Sequence, residues 1–261
     1  MIQFVRDLYL YRDLLYMLTW REIKVKYKQS VMGLLWAILM PLLVVSAGVL
    51  VRFAFSRLNG VPLTLSDIST VSVKALPWAF FISSLRFSTN SLTANSNLVT
   101  KIYFPKDIFP ISAVLSQLVD FAIAALLLIA ILCFSEVGFS IHLLWVPVLI
   151  GLLIILVMGL GIFLSAANLF FRDVKYLIEV FVTFAIFITP VFYEVSLFGE
   201  WGWLMLLNPV APLLEGLNAS IVHHQSPDGT WVFYSGITAV AVFVLSIKVF
   251  KRLEPQFAES I

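Results

Sequence analysis

"WREIKVKYKQSVMGLLWAILMP", residues 20–41, decides how the rest of the chain is read. Four cations, Arg21, Lys24, Lys26 and Lys28, run without a turn signal into an uncharged stretch that continues to Val51. A helix crossing roughly 30 Å of hydrocarbon needs about 20 mostly apolar residues, and 29–51 meets that length. A secretory signal would carry a short basic region, a brief apolar core and a small-residue cleavage site. Here the residues before Gln29 hold both charge signs and precede a full-length span, which argues against a signal peptide.

Upstream, Phe4, Leu8, Tyr11, Leu15 and Leu18 recur at alternating spacings of four and three, with Arg6, Asp7, Arg12 and Asp13 mostly on the other side. That pattern predicts an amphipathic helix lying along the inner membrane interface. From Glu22 to Lys28 the period becomes two, with Ile23, Val25 and Tyr27 alternating with Lys24, Lys26 and Lys28. A lone strand at a membrane surface would leave its backbone unpaired, so the expectation is continuing helix with snorkelling lysines.

Composition agrees with a membrane chain, since 61% of the residues are hydrophobic and only 12% charged. Seventeen Lys and Arg against fifteen Asp and Glu give no dominant basic face for nucleic acid. The single cysteine, Cys133, allows no intramolecular disulfide and no CxxC motif.

Downstream of 29–51, further spans are expected at 75–99, 108–135, within 137–171, at 176–193 and at 229–247. Two apolar pieces, 201–214 and 216–222, are too short to cross, and "NPVAP" (208–212) breaks the helix between them. Short apolar segments interrupted by proline suit a re-entrant hairpin, here over 198–222, with a surface loop as the alternative. The predicted fold is an all-α integral membrane protein with six transmembrane helices, an N-terminal amphipathic interface helix and a re-entrant helical hairpin before the last span. Its divisions are a cytoplasmic interface helix at 1–28, a transmembrane domain at 29–251 and a cytoplasmic tail at 252–261. With this topology thirteen cations fall on the side of the N-terminus, and the other side holds Arg52, Arg57 and Lys74. Both termini are therefore expected in the cytoplasm.

No GxxxxGK[ST] phosphate cradle is present, so ATP hydrolysis by that route is not expected. His223 and His224 are adjacent without a third evident ligand, and no metal site is predicted. No Ser, His and acid constellation suggests a catalytic centre. The loop "NSNLVTKIYFPKDIFP" (95–110) stands out, because Tyr103 and Phe104 sit between Lys101 and Lys106 and are fixed by Pro105 and Pro110. Aromatics flanked by charges form a knob able to dock in a partner's cleft, or else an interfacial anchor. Arg86 and Asp120 are the charges inside spans two and three. About sixteen and eighteen residues from the intervening turn, they lie at matched depth for a rise of about 1.5 Å per residue, and they are expected to pair. The rival role for Arg86 is to line the pore and meet a substrate phosphate.

Five motifs in order, residues 20–41, "SNLVTKIYFPKDIFP" (96–110), "NLFFRDVKY" (168–176), "ITPVFYE" (188–194) and "LNPVAPLLEG" (207–216), resemble the ABC type-2 exporter permeases. The branch most resembled exports bacterial cell-surface polysaccharides: O-antigen, capsule or teichoic acid. The resemblance runs from about Tyr9 to Leu253. It implies a homodimer in the bacterial inner membrane, bound by two copies of a separate cytoplasmic ATPase that holds ATP and Mg, with no cofactor on this chain. It implies a coupling helix at 97–107, so that Asn97, Lys101, Ile102, Tyr103, Phe104, Pro105 and Lys106, with Arg21, Glu22 and Lys24 of the interface helix, are the ATPase-facing candidates. Its turn "FFRDVKY" is expected to be fixed by Arg172 and Asp173. The implied substrate is a lipid-linked polysaccharide, such as a glycan on undecaprenyl diphosphate. Sugars present apolar C–H faces to aromatic rings, and the chain holds 23 Phe, 7 Trp and 8 Tyr. Candidates for the substrate path are Trp36, Trp78, Phe80, Phe81, Arg86, Phe181, Phe184, Phe187 and Tyr193. The same architecture could export a small molecule or lipid. A membrane glycosyltransferase or acyltransferase would instead need an acid or histidine cluster at one face, which this sequence lacks.

Overall fold

A computed structural model describes residues 2–28, 33, 35–60, 62–135 and 137–257. Most of the join between the interface helix and the first span, at 29–34, lies outside the described residues, as does the end of the tail at 258–261. The described residues form helices and connecting turns, with no strand among them. In order they are α1 (Ile2–Leu10), α2 (Arg12–Lys28), α3 (Leu35–Asn59), α4 (Leu65–Ala94), α5 (Ser96–Lys101), α6 (Ile108–Phe134), α7 (Trp145–Phe170), α8 (Val174–Ile188), α9 (Gly202–Leu206), α10 (Val210–Ile221) and α11 (Gly229–Leu253).

Five helices are long and apolar enough to cross a membrane: Leu35–Leu58, Leu65–Ala94, Ile108–Phe134, Ile141–Phe170 and Gly229–Gln256. The expected span at 176–193 is the shorter α8, whose 15 residues end before Thr189 and Pro190.

α4 is the axis of the fold and departs most from expectation. It begins at Leu65, ten residues before the predicted start, because Thr64 and Asp67 form a reciprocal capping box. It is the least apolar of the five long helices and the most buried, packed against α3, α6, α7, α8 and α10. Several of its hydroxyls bond back into the helix, as Ser72 does to the Ile68 carbonyl and Thr89 to the Leu85 carbonyl, which satisfies them inside the core; the buried Ser84 hydroxyl is an exception. Lys74, expected among the outer loop cations, is inside α4 with no exposed surface. The correction has a local cause: its ammonium meets Glu215 of α10 at 2.7 Å and the Tyr193 carbonyl at 3.4 Å.

α7 lies between α11 and α4, and glycine sets both distances. A Cβ on Gly159 would stand 2.8 Å from the backbone of Phe243 in α11, while one on Gly161 would meet the Ser88 side chain of α4 at 2.6 Å. Small residues permit such close helix approach where lipid supplies no hydrophobic drive.

The segment expected to form the interface helix is helical as α1 and α2, separated at Tyr11. Phe4 and Leu18 turn into a second core at one end of the bundle, with Leu92, Val99, Phe104, Ile108 and Phe250. α5 and the chain's final described residues join the same core, where Phe257 packs on Phe250 at 5.0 Å and Phe170 at 5.8 Å.

Candidate functional site

A cavity of about 530 Å³ opens among the end of α2, α3, α4, α6 and α8. Its walls are mostly apolar. Trp36 of α3, Trp78, Phe80 and Phe87 of α4 and Phe121 of α6 supply the aromatic lining. The rings support one another: Trp78 stacks on Phe81 at 5.3 Å, and Phe80 meets Phe121 at 5.1 Å. Trp36, Trp78, Phe80 and Arg86 are thus brought together. Phe81 only backs Trp78, while Phe181, Phe184 and Phe187 lie on the exposed side of α8. Tyr193 donates its hydroxyl to the Phe187 carbonyl outside the cavity.

Two ion pairs edge this space, and neither is the expected one. Arg86 does not pair with Asp120; its guanidinium meets Glu179 of α8 at 2.8 Å. Asp120 is taken by Lys26 and Tyr27 of α2, and Lys26 also donates to the Gln117 amide oxygen at 3.1 Å. Arg86 and Asp120 line the same cavity, but the expected pairing leaves out α2, whose last turn reaches Asp120 first. Lys26 lies over the Phe87 ring at 5.0 Å, so this lysine turns into the protein instead of snorkelling to headgroups. Burial, followed by the bond to Asp120, pushes the Tyr27 phenol well above its ordinary value. Each cation at the cavity edge therefore carries its own acid, and an incoming anion must compete with Asp120 or Glu179.

The knob at 97–107 sits at the end of the bundle formed by α1, α2 and α5. Asn97, Lys101 and Ile102 are exposed, and Tyr103 is fully so. Phe104 corrects the expectation of two outward rings, being 8% exposed and packed on Phe109 at 5.4 Å with the Lys106 ammonium 4.4 Å from its centre. Lys106 donates to the Ile102 carbonyl, closing the turn that throws Tyr103 outward. The Lys106 backbone N–H donates to Glu254 at 2.7 Å, and Asp107 meets Lys251 at 3.0 Å. Burial lowers the Lys106 pKa and raises that of Asp107 against the opposing pull of Glu254 and Lys251 respectively. Pro105 is half-buried beside them. Arg21 bonds Asn95, at the joint of α4 and α5, and also Glu22; Lys24 lies over the Trp20 ring. Arg21 thus ties α2 to the joint from which the knob begins.

At the opposite end of α4, Arg52 joins Glu194 at 2.7 Å and Asp67 at 3.8 Å. With the Lys74 contacts to Tyr193 and Glu215, these bonds fix the chain between α8 and α9. In the sequence these cations stand out only as charges assigned to the outer side, and their pairings have no signal in sequence spacing. The turn at 171–173 is also held differently from expectation. Asn168 clamps it, donating to the Thr89 carbonyl and accepting from the Lys175 N–H, each at 3.1 Å, while Asp173 makes no side-chain cap.

A family model described as ABC-2 type transporter matches residues 13–222. The chain is 29% identical over 264 residues, spanning all of both chains, to the O-antigen export system permease protein RfbA of Myxococcus xanthus. It is 28% and 26% identical to two proteins of that name from Klebsiella pneumoniae, over 95% of this chain and 94% of each relative.

Proposed function

Because the chain belongs to the ABC-2 type transporter family, we propose that it is the permease subunit of an ATP-driven exporter of a lipid-linked surface polysaccharide such as O-antigen. The observation carrying this reading is the aromatic-walled cavity in a chain that matches O-antigen export permeases from end to end. Aromatic faces hold sugar rings or a polyprenyl chain without fixed hydrogen bonds, which suits cargo that must move. The chain is a transport subunit and a multi-pass membrane protein that works with an ATPase partner; in this reading that ATPase is a separate chain.

The finer reading is six spans, with α8 as the fifth. At about 1.5 Å per residue its 15 residues reach roughly 22 Å, and the chain through Tyr193 extends it. α9 and α10 form the re-entrant pair over 198–222; the burial of α10 from Val210 to Ile221 against α4 and α7 supports this. Residues 1–28 are the interface helix, 29–251 the transmembrane domain and 252–261 the tail, with both termini in the cytoplasm of a bacterial inner-membrane protein. The exposed apolar face of α8 would be covered by a second copy in a homodimer or by lipid. Tyr103, with Asn97, Lys101 and Ile102 around it, docks in the ATPase that binds ATP and Mg, and Arg21, Glu22 and Lys24 form the adjoining surface.

Deleting the gene should remove the glycan from the cell surface and leave lipid-linked glycan accumulating inside. Restoring it with Trp36→Ala and Phe87→Ala together should restore membrane insertion and ATPase co-purification, but little export. Normal surface glycan in the deletion strain would refute the proposal. The mostly apolar cavity lining also suits export of a lipid or small molecule; normal glycan with a lost lipid or drug efflux would favour that second reading.

A further inference from the structure

A second pocket, about 270 Å³, lies at the turn between α7 and α8 beside the start of α5. Arg172 and Lys175 line it with the polar side chains of Asn90, Thr93, Ser96 and Asn168, and no carboxylate lines it. Neither cation makes an ion pair among the described residues; Lys175 lies 4.7 Å from the Tyr176 ring. Asp173 stands between the two cations in sequence but does not line the pocket, so an anion placed there meets both Arg172 and Lys175. The floor is rigid. Asn168 is 1% exposed and fixed at both ends of its amide, donating to the Thr89 carbonyl and the Thr93 hydroxyl and accepting from the Lys175 N–H. Next to the pocket, α8 begins an exposed apolar face through Tyr176, Leu177, Val180, Phe181 and Phe184.

We infer that this pocket binds the phosphate of an anionic phospholipid headgroup, with the acyl chains lying along the exposed face of α8. The volume suits a phosphate with a glycerol-sized substituent, and the apolar face starts where the chains would. This rests on reading the chain as an inner-membrane permease with the turn on the cytoplasmic leaflet, where anionic lipid is concentrated. The bound lipid then sits between the start of α8 and α5, beside the knob that meets the ATPase.

The test uses the full chain purified in detergent, with retained lipid counted by native mass spectrometry after exposure to phosphatidylglycerol or phosphatidylcholine. The unaltered protein should retain one phosphatidylglycerol per chain in preference to phosphatidylcholine. Arg172→Gln and Lys175→Gln should each weaken that retention about fivefold, and the double variant about twentyfivefold. Lys175→Arg should retain the lipid, and so should Lys248→Gln, which removes the same charge from an exposed site on α11. A double variant that holds phosphatidylglycerol as before overturns the inference. So does displacement of the lipid by inorganic phosphate alone, which would assign the pocket to a soluble ion. Unchanged lipid binding with loss of the co-purified ATPase would assign the cations to a protein contact, and also overturns it. Because the readout is retained lipid and not export, its failure leaves the permease reading standing, and a failed glycan-export test leaves this measurement intact.

Discussion

A lysine with no exposed surface must find its counter-charge inside the protein, and Lys74 finds it in Glu215. The two partners are unequal, because Glu215 keeps 26% of its side chain exposed while Lys74 keeps none. Glu215→Gln should therefore lower thermal stability in detergent more than Lys74→Met does, within the roughly 3 to 5 kcal/mol typical of breaking a buried pair. Replacing both with Met should recover most of the loss. Equal damage from the two single variants would show that Glu215 is as desolvated as its partner. The knob allows a similar contrast. Phe104→Ala should destabilise the fold by about 3 kcal/mol as a core truncation. Tyr103→Ala should melt as the unaltered protein does and lose coupling of ATP hydrolysis to export. Sequence marked both aromatics equally, since flanking charges suggest exposure and only the packing of Phe109 and Lys106 separates them. Lys74 was misplaced for the same reason: a charge is a surface cue until its partner, 141 residues away, is known.

Among the elements, α7 approaches its neighbours most closely at two of its three glycines, Gly159 and Gly161. Gly159→Ala pushes against the Phe243 backbone, which has no rotamer to yield, whereas Gly161→Ala meets the Ser88 side chain. The first variant should lower the melting temperature more than the second, and the reverse order would mean that α11 shifts freely. The α8–α9 connection carries a pH dependence. The Arg52 hydrogen bond holds the Glu194 carboxyl below its ordinary value of 4.5, so the stabilisation is present above about pH 4.5 and lost as pH falls through the lower folded value. Acidification from about pH 6 toward about pH 3 should cost the unaltered protein more stability than Arg52→Gln, which lacks the tie already. Helices with one dominant apolar run, α3, α6, α7 and α11, were legible in the sequence. The start of α4 was not located correctly, because Lys74 reads as a loop charge and the cap at Thr64 and Asp67 is hidden in a polar stretch.

For the whole molecule, the number of crossings turns on α8 and on the short helices that follow it. Leu214 is buried by protein and would resist a thiol reagent in either topology, so the informative position is the exposed Leu204 in α9. In a Cys133→Ser background, a cysteine at Leu204 should resist a membrane-impermeant reagent that labels one at Asp228. Rapid labelling of both would place α9 in water. The order of motifs made the family legible because each stands at a break between helices, where spacing is tightly constrained. The pairings around the cavity were hidden, since α2 reaches Asp120 by a fold-back that no sequence interval reveals. The polarity of α4 has a consequence for biosynthesis. Membrane insertion machinery partitions each segment as it emerges, and a helix with Lys74 and Arg86 within it, rich in serine, is a poor substrate for that step. Because α4 packs against α6 and α7, its insertion is expected to depend on chain that follows it.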